Sequence, residues 1–357
     1  MDSDLQKFFK DKHVLVTGHT GFKGAWLVEI LTLWGAKVSA IALEPDTDPN
    51  LSEVLKLEKK IKNHFVDIRD YEKIQEVFNK ENPEIVFHLA AQAIVGVSYE
   101  DPLRTYSTNT IGTANILQAI KNTPSVRAGV IITSDKAYDN VEWVYPYREI
   151  DKLGGQDPYS ASKAAADIIA QSFIKSFLSE EDSPYVAITR AGNVIGGGDW
   201  APYRIVPDII RAVYEKKEAV MVRSPRSIRP WQHVLEPLSG YLLLAKKLFD
   251  GDRSLCAPWN FGPKDENFVI VSEIVKRGIK IMGKGSFEVA SDIKFHEANL
   301  LKLDISKARA LLDWKPRLGL EKTFEFTFEW YKNYYEKGKS PDKFTDAQIE
   351  DYFSLEI

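Results

Sequence analysis

Cysteine occurs once in this chain, at Cys256, so no intrachain disulfide can form and no multi-cysteine metal site exists. Histidine is scarce as well, with six residues and no HExxH-type pairing, and metal chemistry is disfavoured. No run of about 18 apolar residues occurs, which predicts no membrane partner. The stretch Met1 to Lys12 is charged and lacks the apolar core of a secretion signal, which predicts a cytoplasmic protein. Charge is nearly balanced: 47 basic residues against 51 acidic ones give a net −4, with an isoelectric point near 6.0. That balance offers no long-range attraction toward nucleic acid but leaves enough arginine and lysine for local phosphate contacts. Internal repeats and low-complexity segments are missing, which leaves a solenoid or linker reading without support. What remains is a chain of 357 residues with 44% apolar content, long enough for two packed lobes or one large α/β domain.

His13 to Thr17 is a short apolar run, followed by a glycine-rich turn and by Ala25 to Trp34, which has helical periodicity. Lys37 to Leu43, His64 to Asp67, Ile85 to Leu89 and Gly129 to Ser134 read as further strands separated by polar helical stretches. This alternation predicts an α/β fold with a doubly wound parallel sheet of the Rossmann type, covered on both faces. Beyond Thr189 the rhythm becomes irregular, and a smaller mixed α/β substrate-binding lobe is expected over the carboxyl ends of the strands. The boundary is placed at 190/191, with residues 1–190 as the dinucleotide-binding domain. Segments near 235–262 are expected to return to it, including a helix over Leu238 to Phe249 and a strand over Trp259 to Gly262.

Gly18, Gly21 and Gly24 stand at spacings of three between the first strand and the first long helix. Gly18 permits the tight turn, Gly21 lets backbone approach a pyrophosphate, and Gly24 lets the helix lie close to the strand. The anion then sits on the helix amino terminus. Glu44, at the end of the second strand, is placed to hold an adenosine ribose; a solvated loop glutamate is the alternative. An acidic group there repels the extra phosphate of NADP, so the expected cofactor is NAD. Asp67 and Ile68 are placed as adenine contacts. Leu89, Ala90, Ala91 and Gln92 are placed where the cofactor passes over the sheet. Thr17, Thr20, Phe22, Asn109, Tyr159 and Lys163 complete the expected cofactor set, and no metal ligand is expected.

Tyr159 and Lys163 are four residues apart at the start of a helix after Asp157-Pro158, so they share one face. A phenol has a pKa near 10, and a neighbouring ammonium and an oxidised nicotinamide both favour phenolate. Bringing it to about 7 corresponds to roughly 4 kcal/mol. Tyr159 then removes a hydroxyl proton while hydride leaves to NAD. An amphipathic helix with a snorkelling lysine is the bland alternative for this pair alone.

Together with Ser134, these motifs resemble the short-chain dehydrogenase/reductase superfamily, and the length points to its extended branch, which acts on nucleotide sugars. In that branch the residues matching Ser134, Tyr159 and Lys163 form the catalytic triad. Longer strings, Thr133 to Lys136, Gly154 to Ser160, Arg190 to Trp200 and Ile228 to Tyr241, are similar to CDP-glucose 4,6-dehydratases. That resemblance implies that Asp135 protonates the leaving hydroxyl on carbon 6 and that Lys136 is the base at carbon 5; a structural ion pair is the alternative for both. It places Asn193, Arg204 and Arg229 on the diphosphate side of the substrate, with an inter-lobe ion pair as the other reading of Arg204. It also implies a homodimer or homotetramer and a place in deoxysugar biosynthesis of the lipopolysaccharide O-antigen kind. The helix from Ala165 to Phe177 either pairs two subunits or joins the core. His233 is read as a packed polar residue.

The chain departs from the pattern at Ala93, Gly96, Ala137, Pro146 and Ala166-Asp167. Gly96 lacks a positive charge usual there, which keeps a GDP-linked hexose or a heptose among the substrates. An epimerase, which needs only the triad, is the runner-up activity, and the Asp135-Lys136 pair argues against it. A non-catalytic NAD-sensing protein is the reading from a different class, and retention of the triad argues against that.

Overall fold

The computed structural model describes residues 2–222, 225–264, 267–289 and 301–356. Its strands are β1 (His13–Thr17), β2 (Lys37–Ala42), β3 (Lys62–Phe65), β4 (Ile85–His88), β5 (Ala128–Ile132), β6 (Tyr185–Ala191), β7 (Val194–Ile195), β8 (Val220–Val222), β9 (Ile228–Pro230), β10 (Gln232–His233), β11 (Pro258–Phe261), β12 (Phe268–Ile270) and β13 (Phe287–Val289). Seven of them form a parallel sheet in the order β11-β6-β5-β4-β1-β2-β3. The remaining six pair as three small two-stranded sheets in the second half of the chain.

The strand order reverses at β1, where sequence-adjacent β2 lies on one side and β4 on the other. Such a switch point opens a crevice at the carboxyl ends of the strands, because the connections after β1 and β4 leave toward opposite faces. Thr17 stands opposite both Ile41 and His88 in register, so the glycine-rich turn and the Leu89–Gln92 segment border the same crevice.

Sheet strands with both faces buried need apolar side chains at every position, and Val14, Leu15 and Val16 with Ile85, Val86 and Phe87 supply them at 1% exposure or less. Helix Phe22–Leu33 is buried on nearly its whole circumference, from Ala25 through Leu31, because helix Pro341–Ser354 packs on its outer side. Trp34 meets Phe353 edge-on at 4.7 Å, and the Trp26 indole donates to the Gly197 carbonyl at 2.9 Å. The last helix of the chain thus returns to the glycine-loop helix. Helix Leu235–Phe249 packs on β5 and β6.

Two differences from the sequence expectation have physical reasons. The third strand runs over Lys62–Phe65 rather than His64–Asp67: it is an edge strand, half exposed, so its polar residues carry no apolar signal. Strand β6 was not anticipated, because Thr189 and Arg190, both fully buried, interrupt its apolar run. No helix among the described residues is long and apolar enough to cross a membrane, and no group of three or more His, Cys, Asp or Glu among them is placed to hold a metal ion.

Candidate active site

The glycine-rich turn is built by backbone proximity. Gly18 adopts φ +78°, and a Cβ there would lie 2.7 Å from the Ala90 nitrogen; one on Gly24 would lie 2.1 Å from the Gly18 carbonyl oxygen. Both positions therefore require glycine. At Gly21 the nearest atom to such a Cβ is 3.4 Å away, so this position is open. Gly21 is the N-cap of helix Phe22–Leu33, and neither a side-chain cap nor a first-turn acid serves that terminus. Free amide donors at an open helix end suit a pyrophosphate.

Thr17 shapes the cradle from beneath. Its hydroxyl accepts from the Leu89 and Ala90 amides, each at 3.1 Å, and bonds the His88 ring at 2.8 Å. His88 is held on its other nitrogen by Thr113 at 3.0 Å, and burial lowers its pKa to about 3, so it is neutral. Gln92 and Asn109 act as a latch. The Asn109 amide bonds both the Gln92 backbone N–H, at 2.8 Å, and the Gln92 carbonyl, at 2.9 Å, and donates to Ser162 at 2.8 Å. Its polar atoms serve the frame of the site. The Thr20 hydroxyl donates to the Leu43 carbonyl at 3.1 Å, and Phe22 is half-buried.

At the end of β2, Glu44, Asp46, Asp48 and Glu53 surround a cavity of about 530 Å³. Asp67 is engaged by Arg69, whose hydrogen bonds to it hold the carboxyl below the usual carboxylate range. Ile68 is buried beneath Gly112, and Ala91 is half-buried beside Ala90.

Helix Pro158–Phe177 carries Tyr159 and Lys163. Asp157 caps it, accepting from the Ser160 amide at 3.0 Å and its hydroxyl at 2.6 Å, which fixes the first turn where Tyr159 stands. Tyr159 and Lys163 are both buried. After β5, Ser134 caps a short turn over Asp135–Ala137: it accepts from the Lys136 amide at 3.2 Å and donates to the Asp135 carboxyl at 3.0 Å. The structure thus brings Ser134, Asp135, Tyr159 and Lys163 together.

An adjacent ammonium and an oxidised nicotinamide together are expected to favour the Tyr159 phenolate. Here burial prevails and pushes it up to about 12; the Ser134 hydroxyl favours the phenolate, Asp135 and Asp157 oppose it, and Arg204 favours it. The Lys163 amine is turned to the Ile132 carbonyl at 3.4 Å, and burial lowers it to about 8 against support from Asp167. Burial raises the Asp135 carboxyl, with Lys136 and the Ser134 hydrogen bond opposing, so Asp135 holds its proton above the usual carboxylate range. Lys136 is half-buried beside it.

Behind this layer lies an ion pair that the sequence did not announce. Arg190 and Asp167 are both fully buried and joined at 2.7 and 2.8 Å. Arg190 also donates to the Tyr138 hydroxyl at 2.8 Å, and Asp167 accepts from Thr133 at 2.9 Å. The pair ties β5, β6 and the Tyr159 helix together, and removing one partner of such a pair costs about 3–5 kcal/mol.

Arg204 pairs with Asp199 at 2.9 Å. This is a bond within one segment, five residues apart, not a bridge between lobes, and it leaves the guanidinium charge felt at Tyr159. Asn193 is half-buried and makes no side-chain hydrogen bond among the described residues. Arg229 lies on β9, away from the triad in sequence, and donates to the Ile228 carbonyl at 3.0 Å. His233 is fully buried between Trp26 and Phe326, and burial lowers it to about 3. A Cβ at Gly96 would lie 3.2 Å from the Tyr203 ring, so a longer residue there needs Tyr203 to shift.

Lys23 was missed. It stands between the second and third glycines of the turn, and its electrostatic neighbours are Lys163, Arg204 and Asp135. The available signal was a charged residue inside a turn whose neighbours face a sheet.

The model of the GDP-mannose 4,6 dehydratase family matches residues 15–327. The chain belongs to this family. Among its relatives, the CDP-glucose 4,6-dehydratase of Salmonella typhimurium is 46% identical over 354 residues, covering 98% of each chain. The dTDP-D-glucose 4,6-dehydratase of Dictyostelium discoideum is 26% identical, covering 90% of this chain and 81% of that one. Two solved structures share the family's fold. The dTDP-glucose 4,6-dehydratase DesIV of Streptomyces venezuelae, with NAD and TYD bound, superposes with TM-score 0.76 at 21% identity, covering 92% and 99% of the two chains. The UDP-glucose 4-epimerase of Thermotoga maritima with UDP-glucose gives 0.76 at 24%, covering 90% and 99%. Dehydratases and epimerases share this fold, so the fold alone does not separate them.

Proposed function

We propose that the chain is an NAD-dependent nucleotide-sugar 4,6-dehydratase, a hydro-lyase that converts CDP-D-glucose to CDP-4-keto-6-deoxy-D-glucose. The observation that carries this reading is Asp135, a buried carboxyl that burial raises above the usual carboxylate range, beside Ser134 on the turn after β5. An epimerase needs no such acid, whereas loss of water needs one. The relative that is 46% identical over nearly the whole chain supports the CDP-linked substrate.

The residues at the crevice fit NAD. The open Gly21 and uncapped helix end provide amides for the pyrophosphate. Four carboxylates around the cavity beyond β2 would repel a 2′-phosphate, which supports NAD over NADP, with Glu44 at the ribose. When bound, NAD supplies the hydride acceptor for sugar carbon 4 and the donor for carbon 6.

The chain's own groups do the proton chemistry. Tyr159 takes the proton of the carbon 4 hydroxyl, and its burial-raised pKa means that this requires groups that favour the phenolate, the Ser134 hydroxyl and the Arg204 charge. A carbon 5 proton becomes acidic only once carbon 4 is a ketone. Lys136 removes it, for which its amine must be neutral. Asp135 then donates its proton to the departing carbon 6 hydroxyl, and the proton held on Lys136 goes back to carbon 5 as hydride returns to carbon 6. Asn193, Arg204 and Arg229 frame the diphosphate, and residues 191–357 supply most of the surface around the sugar nucleotide.

Helices Val95–Glu100, Pro102–Tyr106 and Pro158–Phe177 pack together and leave Tyr99, Leu103, Ile168 and Phe177 exposed, which supports a homodimer or homotetramer. A cytoplasmic place in deoxysugar synthesis for surface polysaccharide, such as the lipopolysaccharide O-antigen, fits a nucleotide-sugar substrate.

Offering the purified protein CDP-, GDP-, UDP- and TDP-hexoses in parallel tests the substrate. The expected result is a 4-keto-6-deoxy product from CDP-glucose at the highest kcat/KM. Isomerisation at carbon 4 without loss of water would indicate an epimerase instead.

A further inference from the structure

The turn that carries Asp135 and Lys136 is gripped at both ends by one buried ion pair. Thr133 stands immediately before Ser134, and its hydroxyl donates to Asp167 Oδ2 at 2.9 Å, with the Thr189 carbonyl also in reach at 3.1 Å. Tyr138 stands immediately after Ala137. Its hydroxyl accepts from Arg190 Nη1 at 2.8 Å and donates to Asn260 Oδ1 at 2.8 Å. Asp167 and Arg190 are themselves joined by two hydrogen bonds, Nη2 to Oδ1 at 2.7 Å and Nε to Oδ2 at 2.8 Å, and neither side chain reaches solvent. Both ties therefore end on one planar fork, whose bidentate geometry leaves little freedom. Asp167 follows Lys163 by one helical turn and Tyr159 by two, on the same face of helix Pro158–Phe177.

A buried ion pair is a weak source of stability, since well-packed apolar residues serve an interior as well. What this one supplies is a fixed offset between two elements. The reaction demands such an offset, because Tyr159 works at carbon 4 while Lys136 and Asp135 work at carbons 5 and 6 of the same sugar. A misplacement of about 1 Å between reacting groups can cost about 10²-fold in rate. We propose that Thr133, Tyr138 and the Asp167–Arg190 pair form a positioning device for dehydration, setting the acid–base turn against the Tyr159 helix. The proposal rests on the roles given to Asp135 and Lys136 above. Its two ties differ in consequence. Tyr138 holds the end beyond Lys136, so its hydroxyl governs elimination. Thr133 adjoins Ser134 as well, so its hydroxyl governs oxidation too.

Asp167→Asn would strand the Arg190 charge in the interior, so the two hydroxyls carry the test. Tyr138→Phe keeps the ring stacked on Tyr147 at 5.1 Å and beside the Arg190 guanidinium at 4.8 Å, and Arg190 Nη1 keeps the Glu149 carbonyl at 3.1 Å. Single-turnover mixing with CDP-D-glucose in heavy water reads oxidation by reduced-cofactor absorbance, and carbon 5 exchange and loss of water by mass. Tyr138→Phe should oxidise carbon 4 at close to the wild-type rate and lose water at least about tenfold more slowly, so that the 4-keto sugar accumulates with its carbon 6 hydroxyl in place. Thr133→Val should slow both steps, and Thr133→Ser, which keeps the hydroxyl, should restore both. Thermal unfolding is measured on each variant. Equal slowing of both steps in Tyr138→Phe, or a lowered Tm with wild-type partitioning between them, would overturn the proposal and leave the network as a structural tie. Failure of Thr133→Ser to restore either step would overturn it as well. A wild type that isomerises carbon 4 without losing water would overturn the dehydratase reading itself, a result distinct from a dehydrating wild type whose variants partition as it does.

Discussion

Tyr159→Phe should lower turnover by about 10²- to 10⁴-fold, the range for one acid–base group. The loss should fall on the first step. The phenol is buried against Ser134 and under the influence of Asp135 and Arg204, so deleting its oxygen removes the acceptor of the carbon 4 proton and leaves the ring packed. The glycine-rich turn is untouched, because its geometry rests on backbone approaches between Gly18, Gly24 and Ala90. Cofactor retention should therefore be unchanged while formation of the 4-keto sugar collapses. Near-normal turnover in the phenylalanine protein would refute the assignment of Tyr159.

The second large effect separates dehydration from oxidation. Lys136→Ala should still oxidise carbon 4, since Ser134, Tyr159 and Lys163 are unaltered, and should then stall with the carbon 6 hydroxyl in place. Overall turnover should fall by about 10²- to 10⁴-fold. In heavy water, solvent deuterium should enter carbon 5 only slowly. Asp135→Asn should stall later: burial raises this carboxyl, the proposed donor to the leaving hydroxyl, so carbon 5 exchange should persist while loss of water fails. Single-turnover mixing in heavy water, with product mass followed over time, resolves the two stages. Rapid carbon 5 exchange with normal loss of water in Lys136→Ala would rule out Lys136 as the base, leaving it as an ion-pair partner or a diphosphate contact.

Much of this was legible in the sequence because it is carried by local pattern. Apolar runs at β1, β2, β4, β5 and β11 announce buried strands, and the Gly18, Gly21 and Gly24 spacing announces the turn, since two of those positions tolerate nothing larger. Spacing also placed Tyr159 and Lys163 on one helical face. What escaped depends on partners distant in sequence. Arg190 looks like a break in a strand until Asp167, 23 residues earlier, is seen beside it. The Tyr159 shift depends also on how much chain covers the phenol, which spacing does not report, and burial in the chain alone pushes it up to about 12. Arg204 is paired within its own segment rather than across lobes because Asp199 lies on the same loop. Lys23 was concealed inside a motif read for its glycines, and only the packing of three further elements around it exposes its charge.

The central claim is that one hydride moves within one sugar, from carbon 4 to carbon 6, while water is lost between. CDP-D-glucose carrying deuterium at carbon 4 tests it most directly, with the product followed by mass and by magnetic resonance. The account predicts that the deuterium appears at carbon 6 of a 4-keto-6-deoxy sugar, with no net consumption of NAD. Deuterium retained at carbon 4 of an isomerised sugar, or released stoichiometrically in free NADH, would contradict it.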